Sequence, residues 1–194
     1  MRTLTAIAAL LLAGCAVTRP VQYYTLAPAS VPANQDNPRG PVILVGTIAT
    51  PEYLQDDRIR YRTGGNEVGA YEYHRWVDRP GAMVHDSLVR TLRASGGYRH
   101  VLDASSSAVG DYLLRGKLYE FGEVDNPAVQ TGISLQLELI DEKTNRSVWD
   151  HQFERTEPAA GKTIPDVVAS MDRNLLQIAS QAAAEIGRFL AGQR

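Results

Sequence analysis

The chain has 194 residues, of which 44% are hydrophobic and 22% charged, a balance that fits one globular domain and excludes a disordered or fibrous chain. A formal net charge of −2 supplies no basic field for nucleic acid. The single cysteine, Cys15, excludes both an intramolecular disulfide and a cysteine-rich zinc site.

Arg2 is the only charge before Arg19, and an almost unbroken apolar run from Leu4 to Leu12 leads into Leu12-Ala13-Gly14-Cys15. A positive start, a short apolar stretch and small residues at its end predict a secretory signal peptide over 1–14. The run is too short for a transmembrane helix, and it lacks the polar face that a surface helix needs. Leu-Ala-Gly-Cys resembles the lipobox of bacterial lipoproteins. That resemblance implies a diacylglycerol on the Cys15 thiol, cleavage before it, and acylation of the new amine by a palmitate-type chain. Each buried CH₂ of such chains contributes about 0.8 kcal/mol, so several chains together make a firm anchor. Ala16, standing where Asp would imply inner-membrane retention, favours the outer membrane.

Residues 15–41 read as a lipidated start, a short tether and a proline-rich connection, with Tyr23-Tyr24-Thr25-Leu26 as an early strand candidate and Pro28, Pro32, Pro38 and Pro41 breaking regular structure. The domain proper is placed at 42–194. Val42–Val45 is a continuous apolar strand. In Asp57–Arg62, Ile59 and Tyr61 alternate with Arg58, Arg60 and Arg62, and a turn at Gly64-Gly65-Asn66 makes Val68–Tyr73 a hairpin partner. A helix follows from about Pro80, with Asp78 as its cap, Met83, Val84, Leu88 and Leu92 on one face and Gly96-Gly97 at its end. Tyr98–Leu102 is a short strand and Ser105-Ser106-Ser107 a loop.

Asp111–Phe121, Gly132–Ile140 and Ser147–Glu154 read as a meander. In its middle strand Ile133, Leu135, Leu137 and Leu139 point one way and Ser134, Gln136 and Glu138 the other. Trp149, His151 and Phe153 share one side of the last strand. A long helix over Ile164–Leu190 opens with capping-box spacing at Thr163 and Asp166. It carries an apolar stripe through Val167, Met171, Leu175, Ile178, Ala182, Ile186 and Leu190. The expected fold is α+β: a single two-layer domain, a mixed or antiparallel sheet with two main helices packed on it.

Catalytic, metal and cofactor constellations are missing from this pattern. His74, His85, His100 and His151 are scattered, and Gly161-Lys162-Thr163 lacks the earlier glycine of a phosphate loop because Thr156 occupies that position. Ser87 and Ser95 sit in no nucleophile elbow. The chain therefore reads as a non-enzyme. Two surfaces are candidates for binding. Tyr71, Tyr73, Arg75 and Trp76 combine the residue types of interface hot spots, and the same aromatics would equally pack on the first helix. Arg58, Arg60 and Arg62 form either a basic stripe or a solvated strand face.

The order of Tyr23-Tyr24-Thr25-Leu26 after the lipid site, the strand at Val42, Tyr53-Leu54 with Asp57-Arg58-Ile59, Tyr61-Arg62 and Tyr73…Arg75-Trp76 is similar to the ABC-type transport auxiliary lipoproteins, the PqiC-like family formerly called a domain of unknown function. The resemblance spans nearly all of residues 21–190, with Gln55-Asp56 as a small departure in loop length. It implies an outer-membrane, periplasm-facing accessory subunit that docks an MCE-domain protein and its ABC permease and ATPase in intermembrane lipid transport. It also implies possible assembly into rings of identical subunits. The alternative is a lipoprotein regulating a cell-wall synthase or another envelope enzyme, which usually has a longer disordered tether. From Cys15 to Tyr23 the chain reaches at most about 28 Å.

Overall fold

The computed structural model describes residues 19–26, 37–64, 67–105, 109–125 and 127–193. The expected signal peptide, Cys15, most of the proline-rich connection and the Ser106-Ser107 part of the serine loop lie outside them. The strands are β1 (Gln22–Tyr24), β2 (Val42–Ala49), β3 (Arg58–Thr63), β4 (Val68–Trp76), β5 (His100–Asp103), β6 (Tyr112–Asp125), β7 (Val129–Asp141) and β8 (Arg146–Pro158). The helices are α1 (Pro80–Ala94) and α2 (Ile164–Gly192).

The alternation in the middle of the meander becomes β7. Ile133, Leu135, Leu137 and Leu139 are at most 1% exposed, whereas Ser134, Gln136 and Glu138 are half-buried on the other face. Opposite them in register stand Leu114, Leu118 and Phe121 of β6 and Phe153 of β8. Both helices cover this apolar face: α1 lies on β2 and β5, α2 on β7 and β8, and the helices touch each other. One core results, joining Ile43, Val45 and Ile48 of β2 to Val84, Leu88 and Leu92 of α1 and to the whole apolar stripe of α2 from Met171 onward. This is the expected α+β architecture.

The described residues form a single eight-stranded mixed sheet. The hairpin β3–β4 and the meander β6–β7–β8 are antiparallel, as the short turns between them require. Parallel pairs β2–β5, β2–β6, β3–β6 and β1–β4 complete it. Between β2 and β5 the chain runs through the β3–β4 hairpin and α1, a long crossover of the kind that a parallel pair needs. The centre of the sheet is β6, 14 residues long. All of one edge pairs with β7. The other edge is divided: its first half takes β2 and its last three residues take β3.

β1, placed in the connection by sequence, adds to the sheet edge beside β4, and Leu26 just after it is buried in the core. Asp78 does not cap α1. Pro80 occupies the first helical turn, so the cap falls at Arg79, whose side chain makes no capping bond. The helix closes before Gly96, whose φ of 67° is the left-handed conformation that glycine adopts without strain.

α2 begins on a complete capping box. The Thr163 hydroxyl accepts the Asp166 backbone N–H, and Asp166 Oδ2 accepts the Thr163 backbone N–H at 3.1 Å. One turn later Ser170 and Asn174 fix the helix to the strands. Ser170 donates to the Glu157 carbonyl at 2.8 Å and meets the Thr131 hydroxyl at 2.9 Å, while Asn174 Nδ2 donates to the carbonyls of Thr131 and Arg155. Replacing Thr163 by Ala removes one half of the box. Urea unfolding should show a loss of about 1 kcal/mol with an unchanged slope, and an unchanged midpoint would show that the cap contributes nothing here.

Candidate functional site

The aromatic block singled out in the sequence lies on β4 and divides by exposure. Trp76 is 1% exposed, its ring 5.8 Å from that of Phe121 in an edge-on contact, and its backbone N–H donates to the Asp57 carbonyl at 2.6 Å. That ring is interior packing and is not presented to a partner. Arg75 is part-exposed and donates to Asp57 Oδ1 at 2.6 Å. Tyr73 keeps part of its surface in solvent, and its hydroxyl is held up from its ordinary pKa by hydrogen bonding to Glu72. Tyr71 turns inward beside Tyr61, ring centroids 5.0 Å apart, and its hydroxyl donates to Glu123 Oε2 at 2.7 Å.

Glu123 is 7% exposed on the covered end of β6. Burial pushes its carboxyl up from the usual glutamate value; the Tyr71 hydrogen bond opposes this, and Asp125 adds to it. Burial, then the bond to Glu123, raises the Tyr71 hydroxyl in turn. A second link runs toward β1, where the Tyr24 hydroxyl lies 3.1 Å from His74 Nδ1 and donates to Gln22 Oε1 at 2.7 Å.

The β3 arginines are not a free basic stripe. Asp56 Oδ2 accepts Arg58 Nε at 2.9 Å and both Arg58 Nη2 and Arg60 Nη2 at 2.7 Å. Partial burial would raise Asp56, but these bonds and the two guanidinium charges outweigh it and hold the carboxyl below the usual aspartate value. Arg62 gives Nε and Nη2 to Glu120 Oε1, the shorter contact 2.6 Å. The Gln55-Asp56 departure thus supplies the counter-charge of the strand that follows it.

Arg60 and the Arg62–Glu120 pair line a cavity of about 560 Å³ on the helix-free face of the sheet, where β2 and β3 part along β6. Tyr53, from the short 3₁₀ turn Glu52–Leu54, reaches into the gap and donates to the Tyr119 carbonyl at 2.6 Å, standing in for a ladder bond. Tyr119 donates to Gln136 Oε1 at 2.9 Å, with Lys117 Nζ 4.9 Å from its ring centroid. Gly122, Gly132 and Thr156 stand side by side in register across β6, β7 and β8. A Cβ on Gly122 would lie 2.7 Å from the Arg60 carbonyl oxygen, so the close approach of β3 requires glycine there. Arg60 Nε is buried with no hydrogen-bond partner. Sequence reasoning missed this groove. Arg60 and Arg62 were visible as a basic stripe and Tyr61 as part of the strand alternation, Tyr53 only as a family motif, and Tyr119 gave no signal of its own.

The model of the family described as ABC-type transport auxiliary lipoprotein component matches residues 24–183. The chain belongs to that family. This auxiliary lipoprotein has the fold of protein XCC0632 from Xanthomonas campestris, described as a DUF330 protein: TM-score 0.79 at 20% identity, covering 90% of this chain and 100% of that one. Hypothetical protein CT253 from Chlamydia trachomatis superposes with TM-score 0.59 at 7% identity, over 79% of this chain and 99% of that one. A PelC dodecamer from Paraburkholderia phytofirmans is more distant, at TM-score 0.49 and 19% identity over 75% and 90%. None of the curated proteins matches in sequence. As an auxiliary lipoprotein component, the protein is a membrane-anchored partner of an ABC-type transporter. Among its described residues no helix is long and apolar enough to cross a membrane.

Folding raises the Glu123 pKa, so the native state holds its proton more tightly than the unfolded chain does. Ionisation of Glu123 therefore weakens the fold at pH 7, and the loss is relieved as pH falls toward the ordinary value of 4.5. Glu123→Gln keeps an acceptor for Tyr71. It should be more stable than wild type at pH 7, with the advantage shrinking as pH approaches 4.5 in a series of urea unfolding curves. A constant difference would contradict the assignment.

Proposed function

We propose that this auxiliary lipoprotein is anchored to the outer membrane through Cys15, faces the periplasm, and acts as the non-catalytic docking subunit for an MCE-domain protein served by an ABC permease and ATPase in lipid transport. The observation that carries the reading is the family match, which runs through nearly the whole folded domain. Signal peptide and lipobox supply the export and the anchor. The reach of at most about 28 Å from Cys15 to Tyr23 keeps the β1–β4 edge near the bilayer. Val21, Tyr23 and Val77 are 40%, 62% and 58% exposed at that edge, which suits a membrane-proximal position. The outer, part-exposed members of the β4 block, Tyr73 and Arg75, are the contact residues in this reading, supported from beneath by Tyr71 and Trp76. Identical subunits assembled in a ring would repeat that contact around one partner.

Crosslinking from native membranes tests it with wild type, Tyr73→Ala/Arg75→Ala, and Cys15→Ala as the anchoring control. Wild type should recover an MCE-domain protein. The double variant should recover about tenfold less or lower with an unchanged thermal unfolding profile, as expected for hot-spot truncation. Recovery of a cell-wall synthase without any MCE protein would replace docking with the regulatory role.

A further inference from the structure

The geometry points to a binding site for an uncharged carbohydrate segment, one or two sugar rings long, in the groove on the helix-free face. The inference stands apart from the docking role, which uses the β4 block. A cavity of about 560 Å³ is within the range of about 300–1,000 Å³ typical of small-ligand sites.

Its rim carries two of the few exposed large aromatic side chains, Tyr53 at 36% and Tyr119 at 40%. Both hydroxyls are committed, Tyr53 to the Tyr119 carbonyl and Tyr119 to Gln136, so each ring is held in place before a ligand arrives. A fixed aromatic plate offers contact area at small entropic cost. Sugar rings present apolar C–H faces to such plates and hydroxyls around the edge.

The polar lining selects against charge. Arg60 is tied to Asp56, Arg62 to Glu120 and Arg155 to Glu157, so each lining guanidinium already has a carboxylate partner. A carboxylate or phosphate would meet Glu120 and Glu154 at the same rim, and capturing a guanidinium would break one of those pairs. A hydroxyl oxygen meets neither obstacle. Ser134, Thr156 and Glu154 add hydroxyl and carboxylate groups able to bond sugar hydroxyls.

The test uses the full-length lipoprotein in a sugar-free detergent. Saturation-transfer NMR is run with cellobiose, maltose, lactose and N,N′-diacetylchitobiose, and with digalacturonate and phosphocholine as charged probes. Transfer to the ring C–H protons of at least one neutral disaccharide is expected. Its dissociation constant should rise about tenfold in Tyr119→Ala, and similarly in Thr156→Val, which removes a hydroxyl lining the groove at nearly the same side-chain volume. Val148→Ala, on the far part of β8, should leave it unchanged, and thermal unfolding of each variant verifies the fold. If Tyr119→Ala does not fold, Thr156→Val decides alone. No transfer to any neutral disaccharide, binding of the charged probes only, or binding indifferent to the folded groove variants would overturn the assignment.

Discussion

Two strands compete for one edge of β6, and the architecture follows from how they share it. β7 saturates the opposite edge with an almost continuous antiparallel ladder. β2 pairs as far as Lys117, β3 takes over only at Glu123, and the stretch between them has no strand partner on that side. In that stretch the Tyr119 carbonyl takes the Tyr53 hydroxyl in place of a strand donor. The same parting brings the Arg60 backbone against Gly122 and opens the groove between them. Site and fold are thus one solution to a pairing problem.

The covered face shows how polar groups enter an apolar layer without leaving it unsatisfied. Ser170 and Asn174 lie in the stripe of α2 but bond the strand carbonyls beneath, which fixes the helix in register on β7 and β8 as alkyl packing alone would not. Glu123 lies at the same end of the sheet with Tyr71 as its hydrogen-bond partner. Burial pushes its carboxyl up against the opposing Tyr71 bond, whereas the Asp56 carboxyl is held down because three guanidinium contacts outweigh its partial burial. Two carboxylates a few strands apart are therefore driven in opposite directions by environment alone.

Much of this was legible in the residues. The period of two in β7, the stripe of α2, the Thr163–Asp166 cap and the β3–β4 hairpin follow from spacing, because each depends on neighbours within one or two elements. Asp78 misled because a capping side chain and a first-turn proline are both start signals, and the proline sets the position. The parallel pairs were not legible: Val42–Ala49 carries apolar residues on both faces, so its pattern names no partner. The groove was hidden for a related reason. Tyr53, Arg60, Tyr119 and Thr156 come from four separate segments, and only the pairing of β3, β6, β7 and β8 brings them together. The β4 block was visible as composition, but which ring is buried depends on the side of the strand that meets Phe121.

That burial bears on how an anchored subunit holds its shape. β1 is three residues long, is paired only with β4, and is the described strand nearest to the expected anchor. Any pull on the chain before β1 enters the sheet through this short strand. Parallel pairing over three residues gives little resistance by itself. The Val77 N–H bond to the Tyr24 carbonyl and the Tyr24–His74 contact extend it, and register places Tyr24 opposite Trp76. Trp76 is buried against Phe121 of β6, the strand that every other part of the sheet depends on. The path from β1 through β4 into the core is therefore short: it closes at Tyr24 and Trp76, within the three residues of β1 itself.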